Sequence, residues 1–390
     1  MVGMPQTSGR TARARVGVEL HAVRDGADLE RLWRQLPETA VGTPFQSCAT
    51  IAGFLNTVAA GWHGEIKVAL LRSVAGGPAE LLLPFFIHRR GPVMVAEVPD
   101  RGLCDVAAPV FVPDSPAAAQ FAEAWPEIVG GLGADIVRIK HVVSRVRGHA
   151  NPLAGVADIE PADEGIFAFD LTGEAYARAR AKRSVYAEAR RKRRKLAEIG
   201  DLRIHFAETP PERERIFETL IAQAGDRLAR SGVDYSLNSP EIRAFYHALL
   251  CEDGGADRAW LAALELDGEI LAATAALHDR GQMTGVLNSI TSGDRIRYSP
   301  GIVLIDCLLE RAREAGIREF CFGNGTQGYK ARFGAESLAL HTYCRPVTRF
   351  GAACLRLKDM FGSAVLHLGP SARSGDAGQA PAVSPAPRLH

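Results

Sequence analysis

The sequence lacks most of the patterns by which an enzyme class is recognised directly. It has no G-x-S-x-G elbow and no Walker loop, so hydrolase and nucleotide-triphosphatase chemistry find no support in it. Its histidines show no H-x-x-x-H spacing, and none of its seven cysteines belongs to a C-x-x-C pair. We therefore expect no bound metal and no disulfide framework, and the cysteine usage is typical of a reducing cytoplasm.

The chain also has little net charge and no long apolar run. A formal charge of +1 over 390 residues argues against attraction of the whole protein to nucleic acid or anionic lipid. The longest apolar run, Leu81 to Ile87, is far shorter than the roughly 20 residues that cross a bilayer. Arg10, Arg13 and Arg15 precede no apolar stretch, so the N-terminus does not read as a secretory signal. These features predict a cytoplasmic protein with no membrane insertion.

Between two unpatterned ends the chain repeats one order of elements. We expect a disordered leader at 1–15 and a disordered tail, rich in Pro, Gly, Ala and Ser, at 362–390. In each copy two predicted helices precede a three-strand meander, and a helix and a strand follow. The predicted strands are 66–73, 79–88, 92–98 and 135–142 in the first half, and 202–207, 259–266, 269–278, 283–290, 317–322 and 338–345 in the second. The pattern predicts two similar α/β domains, at 16–170 and 202–350.

A basic segment joins the two predicted domains. Residues 171–201 are rich in Ala, Arg, Lys and Glu, which favour a helix, and Arg190 to Lys195 are six consecutive cations. One interpretation is a solvated linker helix. The other is a basic wall for a polyanion, such as the phosphates of coenzyme A or a tRNA backbone.

A turn with the features of an anion site precedes an apolar helix. Tyr298-Ser299-Pro300-Gly301 opens the predicted helix at 301–315, and Arg295 and Arg297 come just before it. Backbone N–H groups and the positive end of a helix dipole can bind a pyrophosphate at such a start. The alternative is an ordinary strand-to-helix turn. Within the helix, Asp306 falls on a stripe with Glu310 and Arg313 that we expect to face solvent.

A second candidate loop follows the strand at 317–322. The run Phe320 to Phe333 contains three glycines, of which Gly325 is the central one, and then Tyr329 and Lys330. Glycines let a backbone approach a ligand closely, and α/β folds place ligands at strand ends. Tyr329 could donate or accept a proton, and Lys330 could hold an anionic group. Alternatively, Tyr329 and Phe333 only anchor the loop.

The first half offers one candidate carboxylate. The turn-rich stretch Asp100 to Pro109 includes Asp105 and Cys104. Asp105 could bind a substrate amine or act as a general base. An aspartate that caps a turn is the alternative.

Four of these stretches together give the chain a resemblance to a known family. They are Trp33–Gln46, which includes Thr43-Pro44-Phe45-Gln46, Asp100–Pro109, Tyr298–Gly301 and Phe320–Phe333. The chain resembles the FemAB/CelD-like acetyltransferases, a branch of the GNAT superfamily with tandem GNAT folds, over about residues 20–346. The resemblance implies two GNAT-like domains, each a mixed, largely antiparallel sheet flanked by helices.

The resemblance also implies a reaction. Its members transfer an acyl or aminoacyl group to an amine or hydroxyl, from acyl-CoA or from aminoacyl-tRNA, and many are linked to polysaccharide or cell-envelope synthesis. Acyl-CoA is the donor we expect, with Arg295, Arg297, Ser299, Gly301 and Gly325 binding it and Tyr329, Lys330 and Asp105 in catalysis. A tRNA-dependent transferase is the second hypothesis. The third is a non-catalytic accessory protein, because Cys321, Thr326 and Gln327 stand where relatives carry acids.

Overall fold

A computed structural model describes residues 15–230, 236–252, 258–324 and 328–361 of the chain. The predicted leader, except for Arg15, and the predicted tail lie outside the described residues, as does Gly325. Each strand predicted above is present to within about two residues. The sequence did not predict the strands at Gly17–Val23, Val110–Phe111, Arg145–Val146, His149–Ala150 and Glu160–Asp170, or the helices at Gly328–Arg332 and Arg349–Phe361.

The fifteen described strands divide between the two halves. The first half contributes β1 (Gly17–Val23), β2 (Glu65–Arg72), β3 (Leu81–Arg90), β4 (Val93–Glu97), β5 (Val110–Phe111), β6 (Ile136–Val143), β7 (Arg145–Val146), β8 (His149–Ala150) and β9 (Glu160–Asp170). The second contributes β10 (Leu202–Phe206), β11 (Ala259–Leu266), β12 (Glu269–Asp279), β13 (Gln282–Ile290), β14 (Glu319–Asn324) and β15 (Glu336–Pro346).

The helices follow the same division. Those of the first half are α1 (Gly26–Trp33), α2 (Cys48–Phe54), which continues into a π-helical turn at Leu55–Ala59, α3 (Pro116–Ala119) and α4 (Phe121–Gly131). Those that follow β9 are α5 (Gly173–Lys182), α6 (Ser184–Ala197), α7 (Pro210–Arg230), α8 (Pro240–Leu250), α9 (Pro300–Glu314), α10 (Gly328–Arg332) and α11 (Arg349–Phe361). None of the described helices has the length and apolarity that a membrane crossing requires.

One sheet runs through both halves. Its order is β1-β2-β3-β4-β6-β15-β9-β14-β13-β12-β11-β10, with β5 paired to β3. The pairs β4–β6 and β13–β14 are parallel, and every other pair in this order is antiparallel. The predicted α/β class, with mixed and largely antiparallel sheets flanked by helices, is confirmed.

The two halves exchange a strand at the centre of this sheet. β15, from the second half, pairs with β6 of the first, and β9, from the first half, pairs with β14 of the second. β9 and β15 also pair with each other. No local pattern indicates this exchange, because the partners of each strand lie far away in the sequence. The halves are therefore joined by hydrogen-bonded strands as well as by side-chain packing.

Helices cover both faces of the sheet. On one face α1 and α2 of the first half share a single apolar core with α7 and α8 of the second. The edge-to-face contact between Phe54 and Phe245, with ring centroids 6.4 Å apart, crosses the junction within this core. On the other face α4 packs over the first half, and α5, α6 and α9 pack over the second.

The basic segment departs from its prediction. In place of one linker helix at 171–201 the structure has α5 and α6, separated by extended backbone at Arg183. Both helices are part of the packed core, since Tyr186 is fully buried and its hydroxyl donates to the Phe333 carbonyl at 2.9 Å. The expectation that Asp306 faces solvent is corrected as well. Its side chain is buried and pairs with Arg180 of α5 at 2.8 Å.

The shared strand predicts joint unfolding of the halves. Leu340 of β15 is fully buried among side chains of both halves, so Leu340→Ala should lower the free energy of unfolding by about 2–5 kcal/mol. Urea unfolding followed by tryptophan fluorescence should shift as one transition, although Trp33, Trp62 and Trp125 lie in the first half and Trp260 in the second. The control Ser337→Ala, at an exposed position of the same strand, should have little effect. Two separate transitions, of which only one shifts, would contradict a shared sheet.

Candidate functional site

The pairing between β13 and β14 covers only the first part of each strand. These parallel strands pair only between Gln282–Thr284 and Glu319–Cys321. Beyond that point β13 carries a β-bulge, at which Val286 has no partner on β12. Parallel strands that separate at their carboxyl ends leave the type of crevice in which α/β proteins bind ligands, and bulges are frequent beside active sites. We call the region where this pairing ends the β13–β14 crevice.

A carboxylate from the first half reaches this crevice. Gly323 of β14 has φ 73°, and a Cβ on it would lie 2.8 Å from Asp105 Oδ2 and 2.9 Å from the Gly285 carbonyl oxygen. Only glycine allows such an approach. The backbone N–H of Asn324 donates to Asp105. Burial raises the pKa of Asp105, while the positive charges of His141 and Lys330 oppose the rise.

Side chains of the first half hold the Asp105 loop in place. Gln46 is fully buried, and its Nε2 donates to the Val106 carbonyl at 3.1 Å and to Cys104 Sγ at 3.4 Å. Its Oε1 accepts from the Thr43 hydroxyl at 2.5 Å. The turn at Pro44–Gln46 also packs against β12 and β13. The Thr43–Gln46 motif thus fixes the loop against the second half.

Sequence reasoning missed His141. This buried residue of β6 has φ 57°, and its Nδ1 donates to the Cys104 carbonyl at 2.6 Å. It borders Asp105 because β6 runs alongside the loop, as the hydrogen bond from the Ala107 N–H to the His141 carbonyl shows. No spacing in the sequence links positions 105 and 141, so only the fold reveals the contact.

Lys330 lies beneath the crevice instead of facing an open space. Its side chain is buried, and its Nζ donates to the Gly323 carbonyl at 3.1 Å and the Asn324 carbonyl at 2.7 Å. Burial lowers the pKa of Lys330 to about 8. These contacts position the backbone that meets Asp105, whereas the sequence suggested an ammonium that holds a substrate anion.

Tyr329 has the anchoring role that the sequence suggested, and its part in proton transfer stays a prediction. Its ring packs edge-to-face on Phe322, with centroids 6.4 Å apart, so it does anchor the loop. Burial raises its pKa to about 12, against the positive charge of Arg227 on α7. The hydroxyl is therefore protonated at neutral pH and is available as a hydrogen-bond donor.

The turn that precedes α9 follows the carboxyl end of β13, which is the end of the β13–β14 pair where the crevice lies. Ser299 adopts a left-handed conformation with φ 50°, and Pro300 is the first helical residue. The N–H groups of Ile302 and Val303 both donate to the Ser299 carbonyl. Among the described residues of the first turn that have an amide N–H, Gly301 is the one whose N–H does not donate to the Ser299 carbonyl. The turn therefore offers fewer backbone donors for a diphosphate than the sequence predicted.

Cations surround this turn. The guanidinium of Arg297 lies over the Tyr298 ring, 5.1 Å from its centroid, and Arg295 pairs with Glu269. α6 packs against α9, and its Lys192 donates to the Arg297 carbonyl. The other cations of the basic run, Arg190, Arg191, Arg193, Arg194 and Lys195, are exposed. The basic run thus lies beside the predicted anion site.

One cluster of metal-ligand type lies away from the crevice. Glu214 of α7, His247 of α8 and Cys251 at the end of α8 place potential ligand atoms within 4.8 Å of one another. The sequence analysis found no such group. The i, i+4 spacing of His247 and Cys251 on one helix was the available signal. His247 Nε2 and Glu214 Oε2 are 2.9 Å apart, so the pair satisfies itself by a hydrogen bond.

Comparisons with known proteins concern the family and the fold of the chain. Residues 183–331 match the family model described as an acetyltransferase (GNAT) domain. The fold resembles FemX, with a TM-score of 0.57, 11% identity and coverage of 88% of this chain and 99% of FemX. It also resembles a domain assigned to a lysylphosphatidylglycerol synthetase of Agrobacterium fabrum, with a TM-score of 0.50, 15% identity and coverage of 86% and 96%. No curated protein matched the chain.

These findings show that the protein has a FemX-like fold and that its second half contains a stretch similar to a GNAT domain. The residues that match the GNAT domain model, 183–331, run from α6 to α10 and include the strands β13 and β14. The FemAB-like resemblance inferred from the sequence is confirmed at the level of the fold.

The buried ammonium of Lys330 gives a pH-dependent stability. Because its pKa falls from 10.5 to about 8, the unfolded chain binds more protons between these pH values, and stability should rise as the pH rises through them. Relative to Lys330→Met, the wild-type free energy of unfolding should increase by about 2 kcal/mol between about pH 7.5 and pH 10. Urea unfolding at both values measures this difference. Lys195→Met, which removes an exposed ammonium, should keep the wild-type rise; the same rise in Lys330→Met would refute the assignment.

Proposed function

We propose that the protein is an acyltransferase that moves an acyl group from acyl-CoA to an amine or hydroxyl in the β13–β14 crevice. One observation carries the proposal: a carboxylate from the other half, Asp105, meets the point where the two parallel strands separate, at Gly323. The strand bulge, the turn that opens α9 and the half-buried Tyr329 belong to the same end of this pair. A donor, an acceptor and a proton acceptor can therefore be brought together there.

The proposed reaction is direct attack on the thioester. The acceptor nitrogen or oxygen forms a bond to the acyl carbon, the carbon–sulfur bond breaks, and coenzyme A leaves as a thiolate. Asp105 takes the acceptor proton, for which a carboxylate of raised pKa is better suited than an ordinary one. Tyr329, protonated at neutral pH, donates a hydrogen bond to the departing sulfur. Backbone donors at the Val286 bulge would stabilise the developing oxyanion.

The diphosphate of the donor would bind at the start of α9. Gly301 allows close approach, the helix dipole favours negative charge, and Arg297 with the exposed cations of α6 supplies positive charge nearby. The family resemblance favours an acceptor from the cell envelope or from polysaccharide synthesis. We further infer that the protein works in the cytoplasm, where acyl-CoA is made and its free cysteines stay reduced.

Calorimetric titration with acetyl-CoA tests the donor site. We expect a Kd below about 1 mM for the wild type, within the usual range of enzyme substrates, and binding at least about 10-fold weaker for Gly301→Val. A side chain at Gly301 would occupy the approach to the turn, where its Cβ already lies 3.1 Å from Ile290 Cγ2. Gly130→Val, on α4 where nothing lies within 4 Å, is the matched control. Absence of binding by the wild type would count decisively against the acyl-CoA proposal.

The exposed cations of α6 favour one second candidate, an aminoacyl-tRNA-dependent transferase. A tRNA backbone would fit a basic helix beside the donor turn. The same protein titrated with aminoacyl-tRNA discriminates the two. Tight binding that is lost when Arg190–Lys195 are neutralised, with no acetyl-CoA binding, supports this candidate. If neither donor binds, a non-catalytic accessory protein becomes the favoured function.

Asp105 provides the sharpest test of the chemistry. Asp105→Asn should lower kcat by about 10²–10⁴-fold, the usual contribution of a general base, and leave acetyl-CoA affinity within about 3-fold of the wild-type value. The assay is thiol release from acetyl-CoA with a panel of amino sugars and amines. The acidic limb of the pH profile should lie above the ordinary range of an aspartate and vanish in the variant.

Asp100→Asn is the matched control in the same loop. Asp100 Oδ1 accepts hydrogen bonds from the N–H groups of Gly102 and Cys104, which an asparagine oxygen can also accept. Activity of this control within about 3-fold of wild type is expected. Equal losses in both variants would show that the loop needs its shape and not a base.

A further inference from the structure

A large basic cavity lies at the opposite end of β14 from the crevice. Its volume is about 1010 Å³. The beginnings of β14 and β15, the end of β9, helix α5 and the β7–β8 hairpin enclose it, so both halves contribute. A space of this size accommodates a ligand of several hundred daltons.

The lining carries an excess of positive charge. Its cations are Arg145, Arg147, Arg178, Lys182, Arg183 and Arg318, and its acids are Asp170, Glu319 and Glu336. Six positive charges and three negative ones leave a net charge of +3 at neutral pH. A concave surface of one sign raises the local concentration of oppositely charged ligands.

The three acids are already engaged. Asp170 accepts from the N–H and hydroxyl of Thr172 at 2.7 and 2.6 Å. Glu319 accepts from Gln282 at 2.5 Å, and burial raises its pKa. Glu336 pairs with Arg145 at 3.0 Å. Within the described part of the chain, no carboxylate forms an ion pair with Arg178, Lys182 or Arg318.

The fold places the side chains of Arg147 and Arg318 next to each other. Arg147 sits in a two-residue turn with φ 50°, a conformation that disfavours a long side chain. Its Nη1 donates to the Arg280 carbonyl at 2.6 Å. A Cβ on Gly281 would lie 3.9 Å from both Arg147 Cζ and Arg318 Cγ. Burial lowers the pKa of Arg147, and the charge of Arg318 lowers it further.

We propose that this cavity binds a ligand with at least two phosphate groups. Such a ligand would neutralise the repulsion between Arg147 and Arg318 and would use the planar guanidinium donors, which match phosphate oxygens. Arg178 and Lys182 on α5 would hold a second anionic group. This site is separate from the proposed donor site. The proposal of a phosphate-binding cavity does not depend on the transferase proposal.

Titration with inorganic tripolyphosphate tests the cavity. The probe has several charges, no base and no acyl group, so it reports phosphate binding alone, and the comparison with Gly301→Val described below separates the cavity from the turn that opens α9. The double variant Arg147→Met, Arg318→Met should weaken binding at least about 10-fold. The control double variant, Arg203→Met with Arg243→Met, removes two cations that pair with Asp201 and Glu218 elsewhere on the surface, and it should bind as the wild type does.

Two further measurements distinguish this site from the donor site and from a nucleic-acid surface. Acetyl-CoA affinity should be unchanged in the Arg147, Arg318 variant, and tripolyphosphate affinity should be unchanged in Gly301→Val. Far-ultraviolet circular dichroism and the urea midpoint check that the variants fold. Equal tripolyphosphate affinity in wild type and double variant would overturn the proposal. The proposal would also be overturned if the double variant lost binding to a structured RNA but kept its tripolyphosphate affinity. The two arginines would then belong to a nucleic-acid surface.

Discussion

The contact between Asp105 and the Gly323–Asn324 backbone is the interaction on which the site depends. It joins a loop of the first half to a strand end of the second, and it buries a carboxylate beside a backbone that only glycine could bring so close. Gln46 holds the loop from one side, and Lys330 holds the two carbonyls from the other. Neither half could form the site by itself.

The two halves share a fold but use it differently. Each has a parallel pair of strands that separate, β4–β6 in the first half and β13–β14 in the second. In the first half the chain fills its own opening, because the segment at Ala107 runs parallel to β6 beside Val142. The same loop, just before Ala107, places Asp105 at the β13–β14 crevice. The first half therefore contributes the Asp105 carboxylate to a crevice formed by strands of the second half.

Much of this arrangement could be predicted from local patterns. Apolar runs located most of the long strands, and the Pro300-Gly301 start marked α9. The four stretches that suggested the family include the three parts that meet at the junction: the Thr43–Gln46 turn, the Asp105 loop and the strand end at Gly323. What could not be predicted depends on distant pairing: the exchange of β9 and β15, the burial of Asp306 by Arg180, and the position of His141. A lysine in a glycine loop gives no sign that its ammonium will point inward.

The central claim is that the β13–β14 crevice, completed by Asp105, holds the acyl donor. Hydrogen–deuterium exchange with and without acetyl-CoA tests it across the whole chain in one measurement. We predict slower exchange at 284–303, at 321–324 and in the loop at 100–106, with little change in the β7–β8 hairpin. Protection confined to that hairpin and α5, or no protection in the 284–303 segment, would contradict it.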